Sequence, residues 1–255
     1  MPASSSKSVL ILGGTGEGRG LAEALVAAHG AKLRVISSLA GATPEPRRPA
    51  GELRIGGFGG GQGLAEYLQT EKIDLVVDAT HPFAATISKH ASEASEATDV
   101  PMITVSRPPW TPIDGDRWIN VANVTEAARE ISARSDACLL TTGVKDLAAF
   151  APVVGVKMFV RLMTAPDGPV PLVDAKIIVD RPPFRFDDEI VLFRELGIDT
   201  LVSKNAGGDA TRAKIDAARR LGIPVVMIGR PKLSVGETVG DIDAALALMA
   251  VKLNL

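Results

Sequence analysis

Two glycine-rich stretches in the first quarter of the chain contain the residue types that can hold a phosphate group. Residues 9–25 read VLILGGTGEGRGLAEAL and residues 54–68 read RIGGFGGGQGLAEYL, so each sets glycines between an apolar run and a helix-like tail. Glycine lacks a Cβ, which lets the backbone approach a pyrophosphate, and a helix that begins there adds free N–H groups and a positive dipole end. Each stretch is therefore a candidate strand–loop–helix turn for a dinucleotide.

The first stretch is the stronger candidate for binding a pyrophosphate. It does not spell the pattern G-x-G-x-x-G in any frame, because Arg19 stands where the third glycine should follow Gly14 and Gly16. A tight turn without a ligand is the alternative. Nucleotide hydrolysis is not expected, since the pattern G-x-x-x-x-G-K-[ST] is absent from the sequence. The second stretch aligns with the first and lies 43 residues further along the chain. We interpret it as a structural turn that could border an adenine.

The end of the next apolar run indicates which nicotinamide cofactor to expect. NAD-type sites carry an Asp or Glu about 20 residues after the glycine loop, where it binds the ribose 2′-hydroxyl. Here the run reads RVISSLAG, with Ser37 and Ser38 in place of a carboxylate and with Arg34, Arg47 and Arg48 close in sequence. Because serines and cations suit a 2′-phosphate, the sequence favours NADPH over NADH.

A further apolar run ends in VVDATHPFA, which contains candidates for the nicotinamide side of a cofactor. Ligands of doubly wound sheets bind where the carboxyl ends of strands meet at a switch point, so Asp78, Thr80 and His81 are candidate contacts. His81 could donate a proton, but Pro82 follows it and a turn-forming role fits equally well.

The second half of the chain offers cations and backbone donors for an anionic ligand. TTGVKDL and VSKNAGGDATRAK each follow a predicted strand and open a helix, which favours anion binding. With Asn205, Gly207 and Gly208, the nearby cations suggest a site for a ligand with several carboxylates, and a solvated surface is the alternative for each of them. These cations are Lys145, Arg161, Lys204, Lys214 and Arg230.

Short β-branched runs alternate with alanine-rich stretches, and this alternation predicts parallel sheets covered by helices. Near-continuous apolar runs such as VLIL are typical of strands buried on both faces. The proline-rich segment RPPWTPIDGDRW interrupts the pattern between Arg107 and Trp118 and marks a hinge. We therefore expect an α/β protein of 255 residues with a nucleotide-binding domain at 1–112 and a second domain at 113–255.

Composition and charge narrow the function classes. Hydrophobic residues make up 46% of the chain and the formal net charge is −2, so no global field would recruit nucleic acid or an anionic membrane. The single cysteine, Cys138, excludes a disulfide within the chain, and no metal site is expected. A signal peptide and an apolar span of about 20 residues are both missing, which predicts a cytoplasmic protein. Few aromatic residues, 4% of the chain, favour a monomer.

Five motifs together resemble the precorrin-6A reductases of cobalamin biosynthesis. They are GGTGEGR, DATHPFA, SRPPW, TTGVKDL and VSKNAGG, the last followed by AARRLGIPVVMIGRP. The resemblance implies two Rossmann-like domains with parallel sheets and an active site in the cleft between them. It also implies hydride transfer from NADPH to one carbon–carbon double bond of precorrin-6A, which yields precorrin-6B in the aerobic route.

The same resemblance implies a role for each matching position. The pyrophosphate would contact Gly13, Gly14, Thr15, Gly16 and Glu17, the adenosine ribose would contact Ser37 and Ser38, and the nicotinamide side would contact Asp78, Ala79, Thr80, His81 and Pro82. The tetrapyrrole would contact Thr142, Gly143, Lys145, Lys204, Asn205, Gly207 and Gly208. Arg107, Arg161 and Lys214 are further candidate substrate contacts on account of their charge. Lys204 and His81 are the candidate catalytic proton donors, with ordered water as the alternative. Two positions depart from the family pattern, Ala206 in place of a frequent serine and Pro182 in place of a frequent glycine.

Three alternatives to this function stay open at this point. One is the cobalt-precorrin-6A reductase of the anaerobic route, and another is a reductase of a smaller imine or enone, of the dihydrodipicolinate type. The repeated strand–loop–helix order of the second half disfavours the smaller substrate. The third alternative is a sensor that binds NADP without turnover. A biosynthetic reductase could also hand its product to neighbouring pathway enzymes.

Overall fold

In the part of the chain that the structure describes, two six-stranded parallel sheets are each flanked by helices. The computed structural model describes residues 6–41, 47–232 and 236–255. It divides into a first unit, Met1–Arg107 with Lys232–Leu255, and a second unit, Pro108–Pro231. The expected α/β class with two Rossmann-like parallel sheets is confirmed.

The strands and helices follow one another in the expected alternation. The strands are β1 (Lys7–Leu12), β2 (Leu33–Leu39), β3 (Glu52–Ile55), β4 (Leu75–Asp78), β5 (Met102–Val105), β6 (Trp118–Val121), β7 (Ala137–Leu140), β8 (Lys157–Leu162), β9 (Lys176–Val179), β10 (Thr200–Lys204), β11 (Val225–Ile228) and β12 (Glu237–Val239). The α-helices are α1 (Gly16–His29), α2 (Gly61–Thr70), α3 (Ala85–Thr98), α4 (Val124–Arg134), α5 (Phe186–Glu195), α6 (Ala213–Leu221) and α7 (Ile242–Leu253). Two 3₁₀ segments cover Gly30–Lys32 and Val144–Phe150.

The sheet of the first unit has the strand order β3-β2-β1-β4-β5-β12. The chain winds outward from β1 through β2 to one edge and returns through β4 to the other, so the switch point lies between β1 and β4. Leu12 at the end of β1 is in register with Ser38 of β2 and with Asp78 of β4. The loops that follow these three strands therefore open at the same edge of the sheet.

Strand β1 is buried on both faces, which explains its continuous apolar sequence. Val9 and Ile11 pack in the cluster that includes residues of α1 and α7, whereas Leu10 and Leu12 pack with residues of α2 and α3. Successive side chains of a strand point to opposite faces, so four consecutive apolar residues supply two cores. This packing fixes the position at which the loop after Leu12 leaves the carboxyl edge of the sheet.

The sheet of the second unit has the order β6-β11-β10-β7-β8-β9. Its switch point lies between β7 and β10. Strand β6, which precedes β7 in the chain, takes the edge position that β12 has in the first unit. Leu139, Leu201 and Val225 contribute to one core cluster with Phe193 and Trp110. The loops after β7, β8 and β10 open at the carboxyl edge of this sheet.

The division into units differs from the boundary at 112/113 predicted from sequence. The last described segment returns to the first unit, because β12 pairs with β5 and α7 buries Met249 and Leu253 in the first core. Trp110, expected in the first domain, is 6% exposed and belongs to the core of the second unit.

Three findings concern the function classes considered above. None of the helices in the described ranges has the length and apolar character needed to cross a membrane. Within those same ranges no group of three or more His, Cys, Asp or Glu side chains is arranged to hold a metal ion. Cys138 is buried, and burial raises the pKa of its thiol to about 12, so the thiol is unreactive.

Candidate active site

The first glycine loop is held between β1 and α1 by the side chain of Thr15. Its hydroxyl accepts a hydrogen bond from the Gly18 amide at 3.1 Å, which caps α1, and donates one to the Ala79 carbonyl at 2.7 Å. Gly18 fits closely beneath, since a Cβ there would lie 3.3 Å from the Cβ of Ala79. The Thr15 side chain thus joins the helix start to the end of β4.

Other glycines of this loop border open space instead of packed atoms. A Cβ built on Gly14 or Gly16 would meet nothing within 4 Å, and only Gly14, with φ of 112°, needs glycine for its backbone conformation. Neither packing nor backbone geometry therefore requires a glycine at position 16. Backbone open at a helix N-terminus is the arrangement that accepts a pyrophosphate, so residues 13–17 fit a dinucleotide.

Glu17 and Arg107 form an ion pair at the same helix start. Nη1 of Arg107 lies 2.8 and 2.9 Å from the two carboxylate oxygens of Glu17. Burial raises the pKa of Glu17, but the hydrogen bond and charge of Arg107, together with hydrogen bonds from the Glu17 amide and the Thr15 side chain, outweigh burial and hold the pKa below its usual value. Arg107, predicted to contact the substrate, is thus engaged with a residue predicted to contact the cofactor.

Ser37 and Ser38 both lie near the end of β2, and their side chains face opposite sides of the sheet. The Ser38 carbonyl accepts a hydrogen bond from the Gly13 amide at 2.9 Å, so the end of β2 adjoins the glycine loop. The hydroxyl of Ser37 is buried and has no hydrogen-bond partner within the described part of the chain. Ser38 therefore lies beside the first glycine loop, and the contact of both serines with an adenosine ribose stays a prediction.

The arginines near these serines are arranged differently from the sequence expectation. Arg34 lies at the amino end of β2, away from Ser38, and its guanidinium is bonded to Glu52 and Glu71. The guanidinium beside Ser38 belongs instead to Arg54 of β3, whose Nη1 is 3.3 Å from the Ser38 hydroxyl. Arg54 was not among the residues predicted from the sequence, although it stands directly before the second glycine loop, which was a usable signal.

The segment after β4 forms a tight turn. Oδ1 of Asp78 accepts hydrogen bonds from the Thr80 amide at 3.0 Å and the Thr80 hydroxyl at 2.6 Å, and Asp78 is only 2% exposed. The side chain of His81 is exposed, and its Nδ1 accepts from the Phe83 amide at 3.3 Å. Asp78 shapes the turn, whereas the exposed imidazole of His81 is accessible to a ligand.

The loop after β7 carries polar groups at the carboxyl edge of the second sheet. Lys204, at the end of β10, forms an ion pair with Asp146 of this loop. Lys145 is exposed. The hydroxyl of Thr142 is buried without a hydrogen-bond partner among the described residues, and Gly143 has a φ of 92°. Lys145, in the segment that follows β7, and Lys204, at the end of the neighbouring strand β10, are thus cations at one edge of the sheet.

Asn205 and the glycines after it are engaged with the proline-rich connector. The side-chain oxygen of Asn205 accepts from the Trp110 amide at 2.8 Å, and its amide nitrogen donates to the Trp110 carbonyl at 3.0 Å. The Gly208 carbonyl accepts from the Trp110 indole, and a Cβ on Gly207 would lie 2.0 Å from the Pro108 carbonyl oxygen. These three predicted substrate residues therefore build the loop that carries Lys204.

Two other predicted substrate residues are buried below this edge. Arg161 makes two hydrogen bonds to Glu189 at 2.8 and 3.0 Å, with side-chain exposures of 4% and 3%. Lys214, on α6, donates to the Thr141 hydroxyl at 2.8 Å, and burial and the charge of Arg161 lower its pKa to about 7. Both side chains therefore lie beneath the surface, and the charge of Arg161 is paired with that of Glu189.

Comparison with known proteins covers nearly the whole chain. The chain is 44% identical over 240 residues to the precorrin-6A reductase of Rhodococcus erythropolis, spanning 94% of this chain and 96% of that protein. It is 47% identical over 234 residues to that of Mycobacterium tuberculosis, spanning 91% and 93%. A solved structure of the CobK precorrin-6A reductase superposes with a TM-score of 0.90 at 36% identity, covering 96% of this chain and 97% of that one. The family profile of precorrin-6x reductase CbiJ/CobK matches residues 8–250. This chain belongs to the CbiJ/CobK family.

Membership of the CbiJ/CobK family confirms the resemblance inferred from the five motifs, and with it the interpretation as an oxidoreductase of cobalamin biosynthesis. The CbiJ/CobK match runs through both units, so both carboxyl edges described above lie within it. A reductase with Rossmann-like sheets indicates a nicotinamide cofactor.

Proposed function

We propose that the chain reduces one carbon–carbon double bond of precorrin-6A with NADPH and yields precorrin-6B in the aerobic route to cobalamin. The observation that carries this proposal is the match of residues 8–250, through both units, to the CbiJ/CobK family. The open glycine loop at the start of α1 supports it independently, since it suits the pyrophosphate of a dinucleotide. The choice of NADPH over NADH is supported by Ser37 and Ser38, which stand where a carboxylate would favour NADH.

The first unit would bind and orient the nucleotide. The open backbone of the loop at residues 13–17 would lie along the pyrophosphate, and the serines near the end of β2 would lie on its ribose side. The turn of residues 78–82 would border the nicotinamide, because it follows β4 at the switch point of the sheet. When bound, NADPH supplies the hydride. The chain's own task is to orient the ring and to exclude water.

The second unit would bind the tetrapyrrole through cations at its carboxyl edge. Lys145 is exposed, and Lys204 lies on the neighbouring strand end. Thr142 offers a hydroxyl that has no hydrogen-bond partner in the described ranges, and Gly143 offers backbone groups. A flat ring with several carboxylates suits cations that are spread along an edge and not gathered in one pocket. For hydride transfer, the reacting carbon of the ring would have to lie against the nicotinamide.

Reduction also requires a proton on the carbon next to the one that receives the hydride. His81 has an exposed imidazole in the turn after β4, and Lys204 carries an ammonium held by Asp146. Both are proposed as donors. A His81→Gln variant that keeps nucleotide binding and loses turnover would support His81, and the same outcome for Lys204→Gln would support Lys204.

The test is anaerobic turnover of metal-free precorrin-6A and of cobalt-precorrin-6A, each with NADPH and with NADH. We expect NADPH to be oxidised with the metal-free ring and the product to carry two additional hydrogens. Turnover of the cobalt-bearing ring alone would reassign the chain to the anaerobic route. Nucleotide binding without oxidation by either ring would refute the reductase and favour a sensor.

We place this activity in the cytoplasm, where NADPH is available, and we expect a monomer. Sedimentation of the purified chain, with and without NADPH, tests the expected monomer. Transfer of the product to the next enzyme would appear as a shorter lag in a coupled assay.

A further inference from the structure

Arg54 is held in place at the end of β3 by bonds to its own loop. Nη1 donates to the Gly56 carbonyl at 2.6 Å and to the Ser38 hydroxyl at 3.3 Å, and Nη2 donates to the Gly57 carbonyl at 2.7 Å. The guanidinium also lies 3.8 Å from the centre of the Phe58 ring. Stacking and three hydrogen bonds fix the orientation of the guanidinium before any ligand arrives.

These bonds leave capacity for an anion. A guanidinium carries five N–H groups, and within the described residues Arg54 uses three of them, all on acceptors that are uncharged. No carboxylate is bonded to it in those ranges, in contrast to Arg34 of the same sheet, which is bonded to two. The positive charge of Arg54 is therefore not neutralised by a direct partner there.

The loop beside Arg54 borders open space. A Cβ on Gly57 would meet nothing within 4 Å, and its backbone does not lie in the left-handed region, so neither packing nor φ requires glycine there. Gly63, in contrast, is required by packing, since a Cβ would lie 1.8 Å from the Phe58 carbonyl oxygen. The second glycine stretch thus combines a packing role near its helix with open space beside the guanidinium.

The position of Arg54 relates it to the ribose side of the first loop. Ser38 contacts Arg54 through its hydroxyl and Gly13 through its carbonyl, so one residue lies between the guanidinium and the pyrophosphate loop. In doubly wound sheets the adenosine ribose lies at the end of the second strand. β3 is the strand beside β2 on the side away from β1, and Arg54 of β3 is in register with Ser38 of β2.

We propose that Arg54, with the hydroxyl of Ser38, forms the subsite that binds the 2′-phosphate of the nucleotide and sets the preference for NADPH. The proposal rests on the proposed function, since it deepens the assignment of NADPH. A fixed guanidinium gives a phosphate two charge-assisted hydrogen bonds. The 2′-hydroxyl of NADH offers no charge to Arg54. The protein also lacks, at the end of β2, the carboxylate that would favour binding of that hydroxyl.

The test measures NADP⁺ and NAD⁺ binding by calorimetry for wild type, Arg54→Gln and Arg54→Lys. Arg54→Gln should weaken NADP⁺ binding by roughly 10- to 100-fold and change NAD⁺ binding by less than about twofold. Arg54→Lys, which keeps a charge but loses the fork, should fall between. The matched control is Arg34→Gln, because Arg34 lies at the other end of the neighbouring strand; it should leave the ratio of the two affinities unchanged.

Two results would overturn the proposal. One is an unchanged affinity ratio in Arg54→Gln, and the other is an equal loss for both nucleotides, which would indicate a structural role only. Ser38→Ala provides a second variant if Arg54→Gln fails to fold, and it should reduce the affinity ratio by about threefold or more; an unchanged ratio would count against the subsite. Because binding is measured without precorrin-6A, failure of the reductase assay and failure of this inference are distinguishable.

Discussion

Glu17 and Arg107 are paired at the N-terminus of α1, where a dinucleotide would place its pyrophosphate. A carboxylate in the first helical turn is favoured by the helix dipole, but it would repel an incoming pyrophosphate. Arg107 offsets that repulsion because its guanidinium bonds both oxygens of Glu17. The low pKa of Glu17 means that the pair is fully charged at neutral pH and weakens only as the pH falls through that lowered value.

The first prediction is that the effect of removing Arg107 on NADPH binding depends on the presence of Glu17. Arg107→Ala leaves Glu17 unneutralised and should raise the KM for NADPH by roughly 5- to 20-fold. Glu17→Gln should leave that KM unchanged or lower it, and the double variant should recover most of the loss. Steady-state kinetics with all four proteins measures the coupling. Additive effects would show that Arg107 acts on the substrate and not through Glu17.

The second prediction concerns the connector that packs against the Asn205 loop. Gly207→Ala should lower the free energy of unfolding by roughly 2–4 kcal/mol, because φ is 68° and the new Cβ would lie 2.0 Å from the Pro108 carbonyl oxygen. Gly168→Ala is the control, since a Cβ there meets nothing within 4 Å. Urea unfolding of both variants gives the comparison. Equal stabilities would mean that the connector can move away from the loop.

The third prediction separates a substrate role from a structural one among the predicted cations and amides. Lys145→Ala should raise the KM for precorrin-6A by roughly 5- to 10-fold and leave the unfolding midpoint unchanged, because its side chain is exposed. Asn205→Ala should lower the free energy of unfolding by roughly 1–3 kcal/mol, because two backbone groups of Trp110 lose their partners. Kinetics and thermal unfolding of the two variants test the separation, and a reversal of the pattern would exchange the two roles.

The alternation of apolar and helical segments was sufficient to predict both sheets, because parallel strands buried on both faces leave a continuous apolar signal, as in residues 9–12. It could not predict that β12 returns to the first sheet, since three residues carry no periodicity and their partner, β5, is more than a hundred residues earlier. The glycine loop and the serines were recognisable because their spacing is local.

The roles of the cations were harder to predict from sequence. The position of a cation along its strand decides whether it lies at the carboxyl edge or at the amino edge of the sheet. Arg34 is close to Ser38 in sequence but lies at the opposite end of β2, whereas Arg54 is more distant in sequence and adjacent in space. Arg161 is bonded to Glu189, which follows 28 residues later. Pairings of this kind depend on tertiary packing, which local spacing does not encode.

Lys214 leads to the last prediction because burial, together with the charge of Arg161 and against the attraction of Glu189, lowers its pKa from 10.5 to about 7. Below the pKa that Lys214 has in the folded protein, its ammonium is charged in both the folded and the unfolded chain. The desolvation of that buried charge then destabilises the folded state. Between about 7 and 10.5 the unfolded chain binds more protons, so stability should rise with pH through that window.

Lys214→Met should therefore stabilise the protein by roughly 1–3 kcal/mol at pH near 6 and have little effect near pH 10. Methionine keeps the apolar stem, and the Thr141 hydroxyl keeps its own hydrogen bond to the Val202 carbonyl, so no buried donor is left without a partner by the change. Arg194→Met, in the last turn of α5, serves as a control for removing a cation, because it should show no such pH dependence. Urea unfolding across this range measures the difference. A stabilisation that is equal at both pH values would mean that Lys214 is neutral throughout, or that its ammonium is fully compensated in the folded protein.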